Sequence, residues 1–281
     1  MKMKQKTILK EVEFEGIGIH SGEVSRIVLR PEGENTGIRF LVKGTYIPAN
    51  YRYVQGTDHA TVLGKDGVKV STVEHLLAVL YMLGVDNLTI EFIKGYEVPI
   101  LDGSGYYFYK TLKNLTLELE EKARFLEIKE PFEVRNCKGY IQAKPYEGFC
   151  ASYRGYVKGI LEEGIAQYCG NAKEVVFART FCYDRDVELL LQNGLAKGGS
   201  LKNAVVIGDG FVYNPEGMRS KDEPIRHKLL DLIGDLSLLG FRLKGKVFSY
   251  LGGHKLNYEF VKSLAESSLS TSLISSSVST P

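Results

Sequence analysis

No stretch of the 281-residue sequence stays apolar for the ~18 residues that a membrane-crossing helix needs. Charge of one sign is also missing. The 36 basic and 34 acidic side chains leave a net charge of +2 with no basic run, so no overall field draws in nucleic acid, and an anionic ligand has to be held by a few placed lysines and arginines. The basic N-terminus runs into the alternating Ile8-Leu9-Lys10-Glu11-Val12 rather than an apolar core, which argues against a signal peptide. Cysteine is scarce. Cys137, Cys150, Cys169 and Cys182 form no Cys-x-x-Cys pair, and the expectation is four reduced, mostly buried thiols in a cytoplasmic protein.

What is present reads as two halves. Residues 7–63 alternate apolar and polar side chains between glycine, asparagine and aspartate punctuation, the pattern of antiparallel strands. A helix is predicted from about Thr72 to Leu83, with Val73, Leu76, Leu77, Leu80 and Leu83 at helical spacing and Gly84 as its left-handed cap. A strand over 87–93 follows. The charged stretch 118–124 is the predicted boundary, giving domains 1–120 and 124–265. Beyond it the order recurs: strands to about residue 183, a helix near 186–192, short strands and a helix over 224–239. Each half holds an apolar helix that starts near a histidine (His75, His227), ends in Leu-Gly and leads into a strand, a hint of internal duplication. The serine-rich residues 266–281 are expected to be a disordered tail.

Histidine is rare as well, at positions 20, 59, 75, 227 and 254. On the second apolar helix His227, Asp231 and Asp235 stand at i, i+4 and i+8, one polar stripe on an otherwise buried element. A buried carboxylate has to be paired, hydrogen-bonded or metal-bound. An internal His–Asp hydrogen bond and a metal pair fit that spacing equally well. Glu74 and His75 open the first helix; Ser71 with Glu74 fits a capping box, and the alternative is one ligand and one base for a shared centre. His254 follows Gly252-Gly253, where a backbone can approach a ligand closely, and is either a general acid or a surface turn residue. Lys228 alone reads as a snorkelling surface lysine.

Taken together and in order, Gly16-Ile-Gly-Ile-His-Ser-Gly22, Ser71-Thr-Val-Glu-His75, Pro99-Ile-Leu-Asp-Gly-Ser104, Ala178-Arg-Thr-Phe181, Gly198-Gly-Ser200, Asn214-Pro-Glu-Gly217, Arg226-His-Lys-Leu-Leu-Asp231-Leu-Ile-Gly-Asp235 and Gly253-His254 resemble the UDP-3-O-acyl-N-acetylglucosamine deacetylases of lipid A biosynthesis. The resemblance spans roughly residues 5–265. It implies an α+β fold of two similar domains, each a mainly antiparallel sheet with helices on one face, the helices packed between the sheets. It implies zinc held by His75, His227 and Asp231, with Glu74 as general base, His254 as general acid and Asp235 orienting that histidine. Thr180 and Lys228 would meet the oxyanion and the substrate. Phe181, Val187, Leu191, Ala196 and Ser200 would line an acyl-chain channel, and Lys144 would contact the nucleotide diphosphate. The implied substrate is an acylated UDP-sugar and the implied reaction is hydrolysis of its N-acetyl group by a monomeric enzyme. His59 is expected to be an inert loop histidine.

Two other classes compete on ligand type. A two-histidine, one-carboxylate set also suits a non-haem iron oxygenase, but a base beside a ligand is what hydrolysis needs. A structural zinc module normally closes its site with four cysteine or histidine ligands, which these residues do not supply.

Overall fold

A computed structural model describes residues 3–277, with side chains through residue 267. The first half runs β1 (Lys4–Ile8), the hairpin β2 (Val12–Ile17) and β3 (Val24–Pro31), the hairpin β4 (Ile38–Val42) and β5 (Thr45–Pro48), then a small sheet of β6 (Val54–Gly56), β7 (Val62–Lys65) and β8 (Val68–Val70). Helix α1 (Glu74–Leu83), β9 (Leu88–Lys94), α2 (Tyr106–Leu112) and β10 (Thr116–Lys122) complete it. The second half runs β11 (Phe125–Glu127), the hairpin β12 (Phe132–Arg135) and β13 (Tyr140–Lys144), the hairpin β14 (Phe149–Val157) and β15 (Leu161–Tyr168), then β16 (Phe181–Tyr183), α3 (Asp184–Gln192), β17 (Val205–Ile207), α4 (Glu223–Leu236), β18 (Arg242–Tyr250) and α5 (His254–Ser277).

The two main sheets share one five-strand wiring, to which the second adds β11 alongside β18. In the first the order is β2-β3-β9-β4-β5, in the second β12-β13-β18-β14-β15. In both, the strand that follows the apolar helix enters between two hairpins, antiparallel to one (β3–β9, β13–β18) and parallel to the other (β4–β9, β14–β18). The duplication hinted at by His75 and His227 is therefore a duplication of topology, and the fold is α+β with mainly antiparallel pairing. Helices α1 and α4 lead into equivalent strands, β9 and β18, and pack against each other. Both are buried nearly all round, with every residue from Glu74 to Leu80 and from Leu229 to Leu236 in the interior, so helical periodicity alone understates how enclosed they are. Their crossing is close enough that a Cβ on Gly234 of α4 would run into the Glu74 carbonyl.

Several expectations need correction. Gly84 caps α1 at φ 70° as predicted, but the N-cap is Val73 and no side chain caps the helix. The capping box does not form because Ser71 bridges to Glu97 and the Glu74 carboxylate turns toward the site. The charged 118–124 stretch is mostly strand β10, held antiparallel to β1. Cys150 and Cys169 form a disulfide, contrary to the expected reduced thiols. The β14–β15 register pairs Ala151 with Tyr168, which sets the two cysteines opposite one another in the next position. Cys137 and Cys182 are free. Finally, the backbone of α5 stays helical through Ser277, inside the segment expected to be a disordered tail. Leu256, Phe260, Val261 and Leu264 anchor the buried face of this helix, with Phe260 edge-on to Phe132. Serine is a middling helix former rather than a breaker. Residues 278–281 of that segment lie outside the described residues.

Candidate active site

The polar residues of α1, α4 and the start of α5 converge where the helices cross. His75 Nε2 and His227 Nε2 lie 3.6 and 3.3 Å from the same oxygen, Asp231 Oδ1, and their rings are edge to face. That oxygen is buried and has no hydrogen-bond partner. His227 Nδ1 sits 3.0 Å from the Ala178 carbonyl, which can only accept, so that nitrogen carries the proton and Nε2 presents a lone pair. Two imidazole nitrogens and an unpartnered carboxylate oxygen, all buried and within 4.8 Å of one another, are the donor set of a catalytic zinc site with three protein ligands. Burial pushes His227 down to about 3, keeping it neutral and ready to ligate. Burial alone would raise Asp231, but His227, Lys228 and His254 together hold it well below the usual carboxylate range.

Glu74 and His254 flank this set. His254 Nε2 lies 3.7 Å from Glu74 Oε1 and 3.8 Å from Asp231 Oδ2, while its Nδ1 donates to Asp235 Oδ2 at 2.8 Å. Burial opposes the imidazolium, yet Asp235, Asp231 and Glu74 outweigh it and lift His254 to about 10. Burial raises Glu74 against the pull of His254 and His75, the direction that makes a carboxylate a better base. Lys228 is not the snorkelling lysine that local sequence suggested. Its Nζ lies 3.0 Å from Asp231 Oδ2 and over the Phe181 ring. Burial works against its charge, but Asp231 and Tyr153 raise it.

The entrance to α1 is held under strain. Thr72 has φ 56°, a left-handed value costly for a β-branched residue. Its hydroxyl donates at 2.8 Å to the buried Glu97 carboxylate, which also takes the amides of His20 and Ser21 at 2.9 and 2.8 Å. This clamp fixes the turn from which Glu74 and His75 project.

From the metal-ligating set opens a cavity of about 930 Å³, within the range of ligand-binding pockets. Thr180, Phe181, Val187, Leu191, Ala196 and Ser200 all line it, together with Glu74, His75, His227, Lys228, Asp231 and His254. Its far wall is α3, where Leu189 and Leu191 are exposed along the cavity. The loop after α3 is stitched to the first half: Gly198 N donates to Ile19 O at 3.0 Å and Lys197 N to His20 O at 3.3 Å. His59, expected to be inert, also lines the cavity. Asp235 stands behind His254 rather than in the lining. Lys144 is exposed at the end of β13, opposite Lys246, and does not line the cavity. Sequence reading missed Thr61, Asn257, Tyr153 and the Ala178 carbonyl, all of which contact the site residues or the turn before His254. Only a main-chain acceptor immediately before the Arg179-Thr180 motif was findable, because the motif was already in view.

Compared with known proteins, residues 5–266 match the family described as UDP-3-O-acyl N-acetylglycosamine deacetylase, LpxC. The UDP-3-O-acyl-N-acetylglucosamine deacetylase of Aquifex aeolicus is 46% identical over 263 residues, covering 93% of each chain. That of Wolinella succinogenes is 39% identical over 97% of this chain and 94% of its own, and that of Nitratidesulfovibrio vulgaris is 41% identical over 94% and 88%.

Proposed function

Given that the chain belongs to the UDP-3-O-acyl-N-acetylglucosamine deacetylase family and is a zinc-dependent deacetylase of lipid A biosynthesis, we propose the residues that carry out its reaction. His75, His227 and Asp231 hold the zinc. The observation that carries this assignment is the buried, unpartnered Asp231 Oδ1 facing two imidazole nitrogens, an arrangement that is costly without a cation. Zinc, when bound, supplies a Lewis acid for the acetamide carbonyl and lowers the pKa of water to ~7. Family membership also sets the oxygenase alternative aside.

The chain's own groups divide the proton work. Glu74 Oε1 takes the proton of the attacking water. His254, an imidazolium steadied by Asp235, delivers a proton to the departing amine. Thr180 and Lys228 face the cavity where the oxyanion forms and stabilise it. Acetate and the free 2-amino sugar nucleotide leave. The substrate is an acylated UDP-N-acetylglucosamine; its 3-hydroxyacyl chain lies along Phe181, Val187, Leu191, Ala196 and Ser200, and Lys144 reaches the diphosphate from outside the cavity.

We further read residues 1–120 and 124–265 as two domains, since β1–β10 pair only among themselves and β11–β18 likewise, and the chain as a cytoplasmic monomer. Among the described residues no helix is long and apolar enough to cross a membrane. Size-exclusion chromatography with light scattering tests the monomer, a dimer mass removing it. Metal analysis beside acetate release tests the site: the wild-type protein should hold about one zinc, and His75→Ala, His227→Ala and Asp231→Ala should lose both metal and activity. Full zinc content in His227→Ala would remove the ligand assignment.

A further inference from the structure

The three-stranded sheet β6-β7-β8 has no counterpart in the second half, and the residue immediately before β7 is Thr61. Its side chain is 2% exposed and belongs to neither of the crossing helices, yet it touches both. The Thr61 amide donates to Glu74 Oε2 at 3.1 Å on α1. Its hydroxyl donates to Asp235 Oδ1 at 2.6 Å on α4 and lies 3.3 Å from His254 Nδ1 at the start of α5.

From these contacts we infer that Thr61 is a positioning residue that sets the proton-accepting carboxylate and the proton-donating imidazole in register with each other. The inference rests on the roles given above to Glu74, His254 and Asp235. With Oε2 occupied by the Thr61 amide, the other Glu74 oxygen, Oε1, is turned toward His254 Nε2 at 3.7 Å. On the opposite side, Asp235 has one oxygen for Thr61 and the other for His254 and Asn257, the latter two each at 2.8 Å. Asp235 therefore cannot rotate without giving up a buried hydrogen bond. A single residue thus selects the working oxygen of the base and locks the carboxylate that aims the acid. Both consequences bear on the chemical step and neither on substrate affinity.

The test uses the zinc-loaded enzyme, its acylated UDP-N-acetylglucosamine substrate and two substitutions. Thr61→Val keeps the branched shape and the amide but removes the hydroxyl, and Thr61→Ser keeps the hydroxyl. Thr61→Val should lower kcat about tenfold, with KM changed less than about twofold and zinc content unchanged. Thr61→Ser should recover most of the lost turnover. In a His254→Ala background, adding Thr61→Val should cost less than about twofold more, because the group it positions is already gone. Should Thr61→Val not fold, Thr61→Cys, with a thiol as a weak donor of similar size, gives the same readout. A kcat within twofold of wild type, or the full tenfold loss repeated in His254→Ala, would overturn the inference. His254→Ala alone reads the underlying assignment: wild-type turnover there removes the acid role itself, whereas an impaired His254→Ala with an additive Thr61→Val removes only the role of Thr61.

Discussion

At Glu74 sequence and structure pull apart usefully. The capping-box reading required its carboxylate to reach back to the chain before α1; instead Oε2 takes the Thr61 amide and Oε1 faces His254. Glu74→Gln preserves size and can still accept from that amide, but cannot take a proton. Turnover should fall by roughly 10²- to 10⁴-fold while zinc content and Tm stay near wild type. A fully active, zinc-loaded variant would end the general-base role. His254 makes a prediction in pH. In the metal-free protein its pKa is raised from 6.5 to about 10, so the charge-paired imidazolium contributes stability fully below pH ~6.5. That contribution is lost as pH rises through about 10. Imidazole NMR should show this resonance titrating far above those of His20 and His227, both of which burial lowers. Zinc loading should move it downward, because a cation competes for Asp231 and Glu74. A value near 6.5 in the metal-free protein would contradict the Asp235–His254 pairing.

At the scale of elements, α4 was the most legible part of the chain. A stripe of His227, Asp231 and Asp235 on a helix that after its first turn is otherwise apolar except for Lys228 marks buried polar groups that need partners, and two of the three belong to the candidate metal-ligating set. Thr61 was illegible for the opposite reason. It is one threonine between a loop and a four-residue strand, and its importance comes from an approach across 174 residues of chain to Asp235. The Cys150–Cys169 bond was hidden in the same way: strand register decides it, and the spacing of the cysteines carries no such signal. The helix crossing is testable through Gly234. An added methyl there meets the Glu74 main chain, so Gly234→Ala should destabilise the protein by ~1–3 kcal/mol, as overpacking does. It should also weaken zinc binding, because α1 carries His75 on the next residue. Calorimetry and zinc titration check it; unchanged zinc affinity with a normal Tm would show that the helices can part without disturbing the site.

For the whole molecule, the proposed ligands come from both halves, His75 from the first and His227 with Asp231 from the second. A metal that binds the folded chain and not the unfolded one stabilises by mass action, so chelation should lower the wild-type Tm and leave that of His227→Ala unmoved. An equal drop in both would place the chelator's effect elsewhere. Substrate choice should also depend on the whole cavity: burying each methylene is worth ~0.8 kcal/mol in the apolar limit. UDP-N-acetylglucosamine without its acyl chain should therefore be a far poorer substrate by kcat/KM, and equal values would exclude the channel along Val187 and Leu191.

The stitch between the loop after α3 and residues 18–22 has its own consequence. Gly198 sits so close that a Cβ would strike the Gly18 carbonyl, and Ile19 and His20 receive its hydrogen bonds and those of Lys197. One lip of the cavity therefore belongs to the second half by sequence but rests on the first. The width of the cavity is then a measure of how the halves are seated, in the way a door's gap reports the set of its frame. A Gly198→Ala enzyme, wedged open at that lip while its metal ligands are untouched, should keep its zinc and change its ranking of long against short acyl chains, which competing substrates of two lengths in one reaction would reveal.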